Sequence, residues 1–204
     1  DYIIKPYTSN RLGNSIRSIG LLKRKFVYKI SGSGKMTMSF EDFISRELKT
    51  ADRTKKPLSI VIISPMILNQ KTHGQDDFVK NLNKTVYSIA TKKVKPILRA
   101  TDMVFMDCNG NILFLLPFTN YQNAGKTSEK IVHAIANELD SMNVKFTEYF
   151  YPSCVTFPKD GASFLKLMEN AFNKIECKRM LEEKMSMLGA ISKYAAENYF
   201  KFRK

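Results

Sequence analysis

Residues 99–117, RATDMVFMDCNGNILFLLP, predict a β-hairpin. Two apolar runs flank the polar segment Cys-Asn-Gly-Asn, and Asn-Gly is a preferred pair for two-residue hairpin turns because both residues tolerate positive φ. We therefore predict strands over residues 103–107 and 112–116, joined by a turn at Asn109-Gly110. Taken alone, such a hairpin is an ordinary core element and indicates no function.

The same stretch resembles the centre of a GGDEF domain, the diguanylate cyclase fold. In that family R-x-x-D precedes a hairpin that carries Gly-Gly-Asp/Glu-Glu-Phe, and an apolar run ending in Leu-Pro follows. When Pro117 is aligned with that proline, the five signature positions are occupied by Cys108, Asn109, Gly110, Asn111 and Ile112. None of the five is the family residue. The resemblance therefore implies the scaffold of the family with a degenerate signature.

The segments around the hairpin resemble the same family. Residues 39–64 contain an EL-x-x-A-x-R helix, PLS and an apolar run typical of a strand covered on both faces, and VTFPKDG at 155–161 matches a family turn. Ser39 is expected to cap the first helix, with Asp42 three residues later. Helices are also predicted over residues 77–90, from 124 and from 164, and a strand over 143–151.

The positions that serve catalysis in this family carry other residue types. Ser64 stands where the family has a magnesium-binding Asp, Gly110 and Asn111 stand at the signature carboxylates, and Glu176 and Met180 stand at the triphosphate-binding Lys-x-x-x-Arg. Metal-assisted phosphoryl transfer needs carboxylates to hold magnesium and cations to hold phosphates. The resemblance thus implies a protein that is not an enzyme, with no catalytic residue, no metal and no cofactor.

One ligand site of the family is matched more closely. Arg99 and Asp102 reproduce the R-x-x-D pair that binds the product cyclic di-GMP at the inhibitory site, and Lys130 lies near the position of a second basic residue. A guanidinium can fork onto guanine or phosphate, and a carboxylate can accept from guanine N–H groups. The alternative is a plain surface ion pair between Arg99 and Asp102. A cyclic di-GMP effector and a nucleotide-free interaction platform both remain open.

The first 26 residues resemble the last strand and helix of a response-regulator receiver domain. Lys5 and Pro6 match the receiver's Lys-Pro pair, and Tyr2 matches its aromatic switch position. An amphipathic stripe follows, formed by Leu12, Ile16, Ile19, Leu22 and Phe26. The resemblance implies part of a longer response regulator, acted on by an upstream sensor histidine kinase through receiver residues that are missing here. The stripe would suit self-association.

Composition limits the other function classes. The 204 residues are 44% hydrophobic, enough for a real core, and no apolar run is long enough to span a membrane. The net charge of +14 favours anionic partners, but the lysines are spread along the chain without interleaved aromatic residues, so nucleic-acid binding is the least favoured class. Three cysteines without metal-ligand spacing fit a reducing cytoplasm, and His73 and His133 lack a nucleophile at a readable spacing.

We therefore predict an α/β (α+β) fold with a central, mostly antiparallel sheet flanked by helices, a receiver-remnant helix before it and an extra helix after it. The predicted domains are a receiver remnant (1–26), a flexible linker (27–38), a degenerate GGDEF domain (39–180) and a helical tail (181–204). The predicted function is non-catalytic signalling by a response-regulator output domain, with cyclic di-GMP, a protein partner or a second copy of the chain as the partner. No membrane partner is expected.

Overall fold

The computed structural model describes residues 25–30, 34–66, 75–107 and 110–201. The strands are β1 Lys25–Ile30, β2 Gly34–Ser39, β3 Leu58–Pro65, β4 Met103–Met106, β5 Ile112–Pro117 and β6 Phe150–Phe157. The helices are α1 Phe40–Thr54, α2 Gln75–Ile89, α3 Tyr121–Asp140, α4 Phe146–Tyr149 and α5 Phe164–Lys201. A π-helical turn, Ala90–Val94, and a 3₁₀ turn, Lys95–Ile97, extend α2.

Four strands form one antiparallel sheet in the order β4-β5-β3-β6. In chain order, β3, α2, β4, β5, α3 and β6 make a β-α-β-β-α-β arrangement, with β3 and β5 in the centre. The β3 register is fixed on both sides, since Ile63 lies opposite Ile112 of β5 and Pro152 of β6. The predicted antiparallel sheet flanked by helices is therefore confirmed.

Each face of this sheet is covered by two long helices. Ile60 and Ile62 of β3 belong to the core that includes side chains of α1 and α5, whereas Val61 and Ile63 belong to the core that includes side chains of α2 and α3. Successive residues of a strand point to opposite faces, so a strand buried on both faces must be apolar throughout. This burial accounts for the continuous apolar run predicted as the first core strand.

The hairpin of β4 and β5 is confirmed, but its turn differs from the prediction. The Asp107 N–H donates to the carbonyl of Asn111 at 2.9 Å, and the Gly110 N–H donates to the carbonyl of Asp107 at 3.3 Å. Three residues therefore separate the last paired positions, and Gly110 takes φ +80°. A three-residue loop that ends in a glycine of positive φ is the next most common hairpin connection after the predicted two-residue turn.

The strand predicted over 143–151 is wrong in its limits. Asn143 adopts φ +59°, a short helix occupies Phe146–Tyr149, and the strand begins only at Phe150. The rings of Phe146 and Phe150 stack with centroids 5.5 Å apart, and both side chains are buried. Residues four apart meet on one side of a helical turn, so apolar burial here uses the helical spacing instead of the alternation of a strand.

The predictions for the first 40 residues are tested only in part. The segment predicted as a linker, 27–38, contains parts of two paired strands, in which Lys25 pairs with Ser39 and Ile30 pairs with Gly34. The domain boundaries around it stay a prediction. The helix predicted after Ser39 begins at Phe40 as expected. The receiver remnant of residues 1–24, with Tyr2, Lys5 and Pro6, lies outside the described residues, as do His73, Cys108 and Asn109 of the other predictions.

The C-terminal helix is continuous over Phe164–Lys201, so the predicted tail is an extension of α5 and not a separate element. Its first turns are buried against the sheet through Phe164, Met168 and Phe172. Farther along, exposed apolar side chains follow, and these are Met180, Leu181, Met185, Met187 and Leu188. Among the described helices, none combines the length and apolarity that crossing a membrane requires.

The close approach of Gly110 to α2 generates a prediction about stability. A Cβ at position 110 would lie 3.0 Å from Cγ of Asn83 and closer still to its Nδ2, and the backbone has positive φ. Gly110→Ala should therefore lower the free energy of unfolding by about 1–3 kcal/mol in a urea titration.

The matched control is Gly125→Ala in α3, where an added Cβ meets no atom within 4 Å. That change should raise stability by about 0.5–1 kcal/mol because alanine favours the helix. Equal effects of the two substitutions would contradict the proposed contact between the hairpin loop and α2.

Candidate functional site

The tip of the β4–β5 hairpin is organised around a buried carboxylate. Asp107 accepts from the backbone N–H of Asn111 at 2.7 Å through Oδ1 and from the Asn111 side-chain amide at 2.6 Å through Oδ2. Both residues are buried. The side chain of Asn111 is therefore a structural partner of Asp107, and the two close the loop between the strands.

None of the three positions matched to the family's metal ligands, Ser64, Gly110 and Asn111, carries a carboxylate. Ser64 is buried at the end of β3, opposite Tyr151, and Gly110 packs against Asn83 of α2. The Oδ1 of Asn83 has no hydrogen-bond partner among the described residues. Within the same residues, no three His, Cys, Asp or Glu side chains come together as a metal site.

The residues matched to the triphosphate-binding pair lie on α5. Glu176 is bound by Arg179 at both carboxylate oxygens, at 3.1 Å from Nε and 2.6 Å from the terminal guanidinium nitrogen. Met180 is exposed. The bidentate pair holds the Glu176 carboxylate in place. In the family that this chain resembles, the same position carries a cation that binds the triphosphate.

Arg99 and Asp102 form a backbone turn and not a side-chain ion pair. Asp102 is only 3% exposed, and its Oδ2 accepts from the Arg99 backbone N–H at 2.9 Å, while its own N–H donates to the Arg99 carbonyl at 3.0 Å. Lys95 donates to the carbonyls of Arg99, at 3.1 Å, and of Asp102. The Arg99 side chain is exposed, and no described carboxylate lies within ion-pair distance of it. Hydrogen bonds therefore fix the backbone of this turn, whereas the side chain of Arg99 is exposed to solvent.

Lys130 is exposed on α3. Lys93, in the π-helical turn, forms an ion pair with Glu138 of α3 at 3.5 Å. Eight residues separate Lys130 from Glu138, which at 3.6 residues per turn places them about 80° apart around the helix and about 12 Å apart along it. Arg99 follows that π-helical turn by a few residues. The ion pair therefore joins α3 to the segment that leads to Arg99, and no contact of the described residues joins Lys130 to Arg99.

The titratable groups outside these clusters give no catalytic arrangement. His133 is exposed and lies 3.3 Å from the side-chain amide of Asn137. Burial raises the pKa of the Cys154 thiol to about 11, so this thiol is protonated at neutral pH. Neither residue contacts a partner that would make it a nucleophile or a base among the residues described.

Sequence reasoning missed two residues of this region and misplaced the side chain of a third. It did not assign a role to Asp107 or Asn83, and it expected the Asp102 carboxylate to face a ligand. The Asp-x-x-x-Asn spacing across the turn was the available signal for the pair of Asp107 with Asn111, since both residues flank the hairpin loop. No local pattern indicates that Asn83, from another helix, packs on Gly110.

Comparison with known proteins gives structural similarity alone. No protein-family model and no curated protein matches the chain. The structure is similar to the isolated GGDEF domain of TpbB (YfiN) from Pseudomonas aeruginosa, with 16% identity, a TM-score of 0.49 and coverage of 70% of this chain and 88% of the other. It is also similar to a DGC protein from Thermotoga maritima, with 15% identity, a TM-score of 0.44 and coverage of 67% and 90%. A sensory box/GGDEF family protein from Caulobacter crescentus gives 13% identity, a TM-score of 0.46 and coverage of 67% and 87%.

Two substitutions at Asp102 test whether the turn needs a hydrogen-bond acceptor at this position or a negative charge. Asp102→Ala leaves the Arg99 N–H without its acceptor and should lower the free energy of unfolding by about 1–2 kcal/mol. Asp102→Asn keeps an acceptor oxygen and should cost clearly less. Urea unfolding measures the stability, and amide hydrogen exchange at Arg99 reports the local bond. Equal exchange at Arg99 in the two variants would contradict this role for the carboxylate.

Proposed function

We propose that this chain is a GGDEF-type signalling module without cyclase activity, which binds cyclic di-GMP through the exposed guanidinium of Arg99. The proposal rests on residues 99–117, where the R-x-x-D turn leads into a hairpin with the spacing of that family. The observation that carries it is the fixed turn at Asp102, which presents Arg99 to solvent. Because the backbone of Arg99 is already held, only its side chain must be ordered when an anionic ligand binds.

The roles of the two residues differ in this proposal. Arg99 contacts the ligand, because a guanidinium can donate two parallel hydrogen bonds to phosphate or guanine. Asp102 is a positioning residue, because its buried carboxylate holds the Arg99 backbone. Lys130 of α3 is the second basic residue of the proposal, taken from the resemblance to the family's site. The receptor therefore recognises its ligand chiefly through cations.

The lack of catalysis is the second part of the proposal. Ser64, Gly110 and Asn111 offer no carboxylate to a magnesium ion, and hard cations are held mainly by carboxylate oxygens. Asp107 is nearby, but both of its oxygens accept hydrogen bonds from Asn111. We infer further that the module is the output part of a response regulator, which rests on the likeness of residues 1–26 to the end of a receiver domain.

An interaction platform is the second candidate function. It is favoured by the exposed apolar side chains of α5, at which Leu181, Met185 and Leu188 recur at steps of four and three residues. This spacing places them along one stripe of the helix, and such a stripe is the usual seam of a helix pair. On this alternative the domain is a rigid support for α5, and no nucleotide is involved.

The first test is catalytic. Incubated with GTP and magnesium, the chain should form no cyclic di-GMP above the level of a protein-free blank, while an active GGDEF domain assayed in parallel forms it. The physical reason is that phosphoryl transfer assisted by one or two metal ions needs carboxylates to hold the metal, and positions 64, 110 and 111 carry none. Formation of the product at a rate that depends on enzyme concentration would contradict the proposal.

The second test is ligand binding by isothermal titration calorimetry with cyclic di-GMP. The chain should bind it saturably, and Arg99→Ala should weaken the affinity at least about tenfold because a charge-assisted contact is lost. Asp102→Asn should keep most of the affinity. The matched control is Arg53→Ala, an exposed arginine in the last turn of α1.

Three results separate the alternatives. Binding that falls equally with Arg53→Ala would indicate general charge attraction and contradict the site. Absence of heat at two temperatures would contradict the receptor. Sedimentation of the chain beside Met185→Glu then tests the platform, since a dimer built on the α5 stripe should dissociate when a charge is placed in it.

A further inference from the structure

Three strand ends meet at one end of the sheet, and two exposed aromatic rings lie there. Leu58, the first residue of β3, lies opposite Pro117 of β5 and Phe157 of β6. Neighbouring strands are about 4.8 Å apart, so the residues next to these positions share a surface roughly 10 Å wide. The chain leaves β5 through Phe118, which is 48% exposed, and enters α3 at Tyr121, which is 46% exposed. This end of the sheet therefore presents two aromatic side chains to solvent.

Each ring has lysine ammonium groups beside it, and other elements supply them. The Nζ of Lys56, in the turn before β3, lies 5.2 Å from the ring centroid of Phe118. The Nζ of Lys159, just after β6, lies 3.7 Å from the ring centroid of Tyr121, and the Nζ of Lys174 in α5 lies 5.8 Å from it. All three distances are within the range of cation–π attraction. These five residues form the aromatic surface of the domain.

The backbone at Phe118 is strained. Its φ is +55°, in the left-handed region that a bulky side chain rarely adopts. The residues on either side of it, Pro117 and Thr119, are both buried, and the Thr119 carbonyl accepts from the buried Ser59 hydroxyl at 2.7 Å. The buried neighbours thus hold an aromatic ring at the surface, where its own packing does not offset the strain. Strain held in this way by the surrounding structure is concentrated at ligand sites.

The aromatic surface continues from Tyr121 into a cleft beside β6. The cleft has a volume of about 420 Å³, within the range of small-molecule sites, and Tyr121, Lys126 and Lys174 are among its lining residues. Lys126 is exposed, and Glu129 is the acidic residue of the lining. Lys174 donates to Asp160 at 3.0 Å and to a β6 carbonyl at 2.9 Å, which leaves one of its three donors. Rings and cations therefore follow one another from the end of the sheet into the cleft.

This arrangement changes the weight of nucleic acid among the possible partners. The sequence shows lysines without interleaved aromatic residues, but the fold brings Lys56, Lys159 and Lys174 beside rings that are distant along the chain. Single-stranded nucleic acid combines phosphates, which bind ammonium groups, with bases, which stack on aromatic rings. A bilayer surface instead needs apolar side chains that enter the lipid, whereas these rings lie beside ammonium groups. The net charge of +14 adds long-range attraction for a polyanion.

We propose that the aromatic surface and the adjoining cleft bind single-stranded nucleic acid. Bases stack on Phe118 and Tyr121, and phosphates bind the ammonium groups of Lys56, Lys126 and Lys174. Recognition does not depend on base sequence, because every base has a face that can stack. This site shares no residue with the cyclic di-GMP site at Arg99 and goes beyond the function proposed above.

The test measures the fluorescence anisotropy of end-labelled oligo(U) and oligo(dT) of about 12 nucleotides, titrated with the full chain. Both should bind saturably, and a duplex of the same length should bind about fivefold more weakly or worse, because its bases are already stacked on one another. Tyr121→Ala and Phe118→Gly should each weaken the single-strand affinity about fivefold or more, since one stacking ring is lost. Tyr121→Phe keeps the ring and should keep the affinity.

Salt separates stacking from charge at this site. Lys126→Ala should make the plot of log affinity against log salt less steep by about 0.7, because one phosphate contact is lost. Tyr121→Ala should weaken binding and leave that slope unchanged. The reverse result, a slope that changes with Tyr121→Ala and not with Lys126→Ala, would contradict the assigned roles.

Two matched controls lie elsewhere on the domain. Phe78→Ala removes a ring of α2 that is 46% exposed, and Lys93→Ala removes a lysine that is paired with Glu138. Each should change the affinity by less than about twofold. Phe118→Gly should keep or raise the unfolding temperature, because glycine adopts positive φ without strain, so its loss of binding would not be a loss of folding.

Three outcomes would overturn the proposal. The first is equal affinity for duplex and single strand, and the second is a loss with Phe78→Ala as large as that with Tyr121→Ala. The third is binding to phosphatidylglycerol vesicles that depends on Tyr121 while neither oligonucleotide binds, which would assign the aromatic surface to a membrane.

Discussion

The burial of β3 on both faces and along both edges is the constraint on which the domain depends. Its side chains join two separate cores, and its backbone pairs with β5 and β6 over most of its length. The one hydroxyl in its first half, Ser59, is fully buried and lies 2.7 Å from the carbonyl of Thr119 and 2.7 Å from the hydroxyl of Thr156. A buried polar group satisfied by two other elements fixes register as well as position, because a slip of one residue would leave it unpaired.

The far end of the same strand lies beside the β4–β5 hairpin, whose tip is held by a buried carboxylate. Asp107 is buried, and a buried carboxylate is stable only when hydrogen bonds replace the water it loses. Asn111 supplies two of these bonds. A carboxylate at position 111 would face Asp107 with like charge, whereas the amide of Asn111 donates to it, so the amide stabilises the tip and closes the loop.

The fold was predictable where hydrophobic periodicity and turn chemistry agree. The apolar run of β3, the hairpin strands and the inner stripe of α3 are confirmed because local pattern and tertiary burial coincide there. The strand predicted over 143–151 failed because Phe146 and Phe150 bury at helical spacing beside a positive φ at Asn143. Arg99 and Asp102 as a ligand site stay a prediction from the R-x-x-D pattern. Their geometry could not be read from the sequence, because the burial of Asp102 and the contact of Asn83 with Gly110 depend on the packing of the folded chain.

Helix α3 is held against the sheet by one buried stripe, which determines which of its residues are exposed. Ala124, Ile131, Ile135 and Leu139 are buried and fix the rotation of the helix about its axis. Glu138 then meets Lys93 of the π-helical turn at 3.5 Å, while Lys130 is exposed. The stripe belongs to the core that also contains side chains of α2. Residues of this core, and not the charged residues at the surface, therefore determine where the exposed side chains of α3 lie.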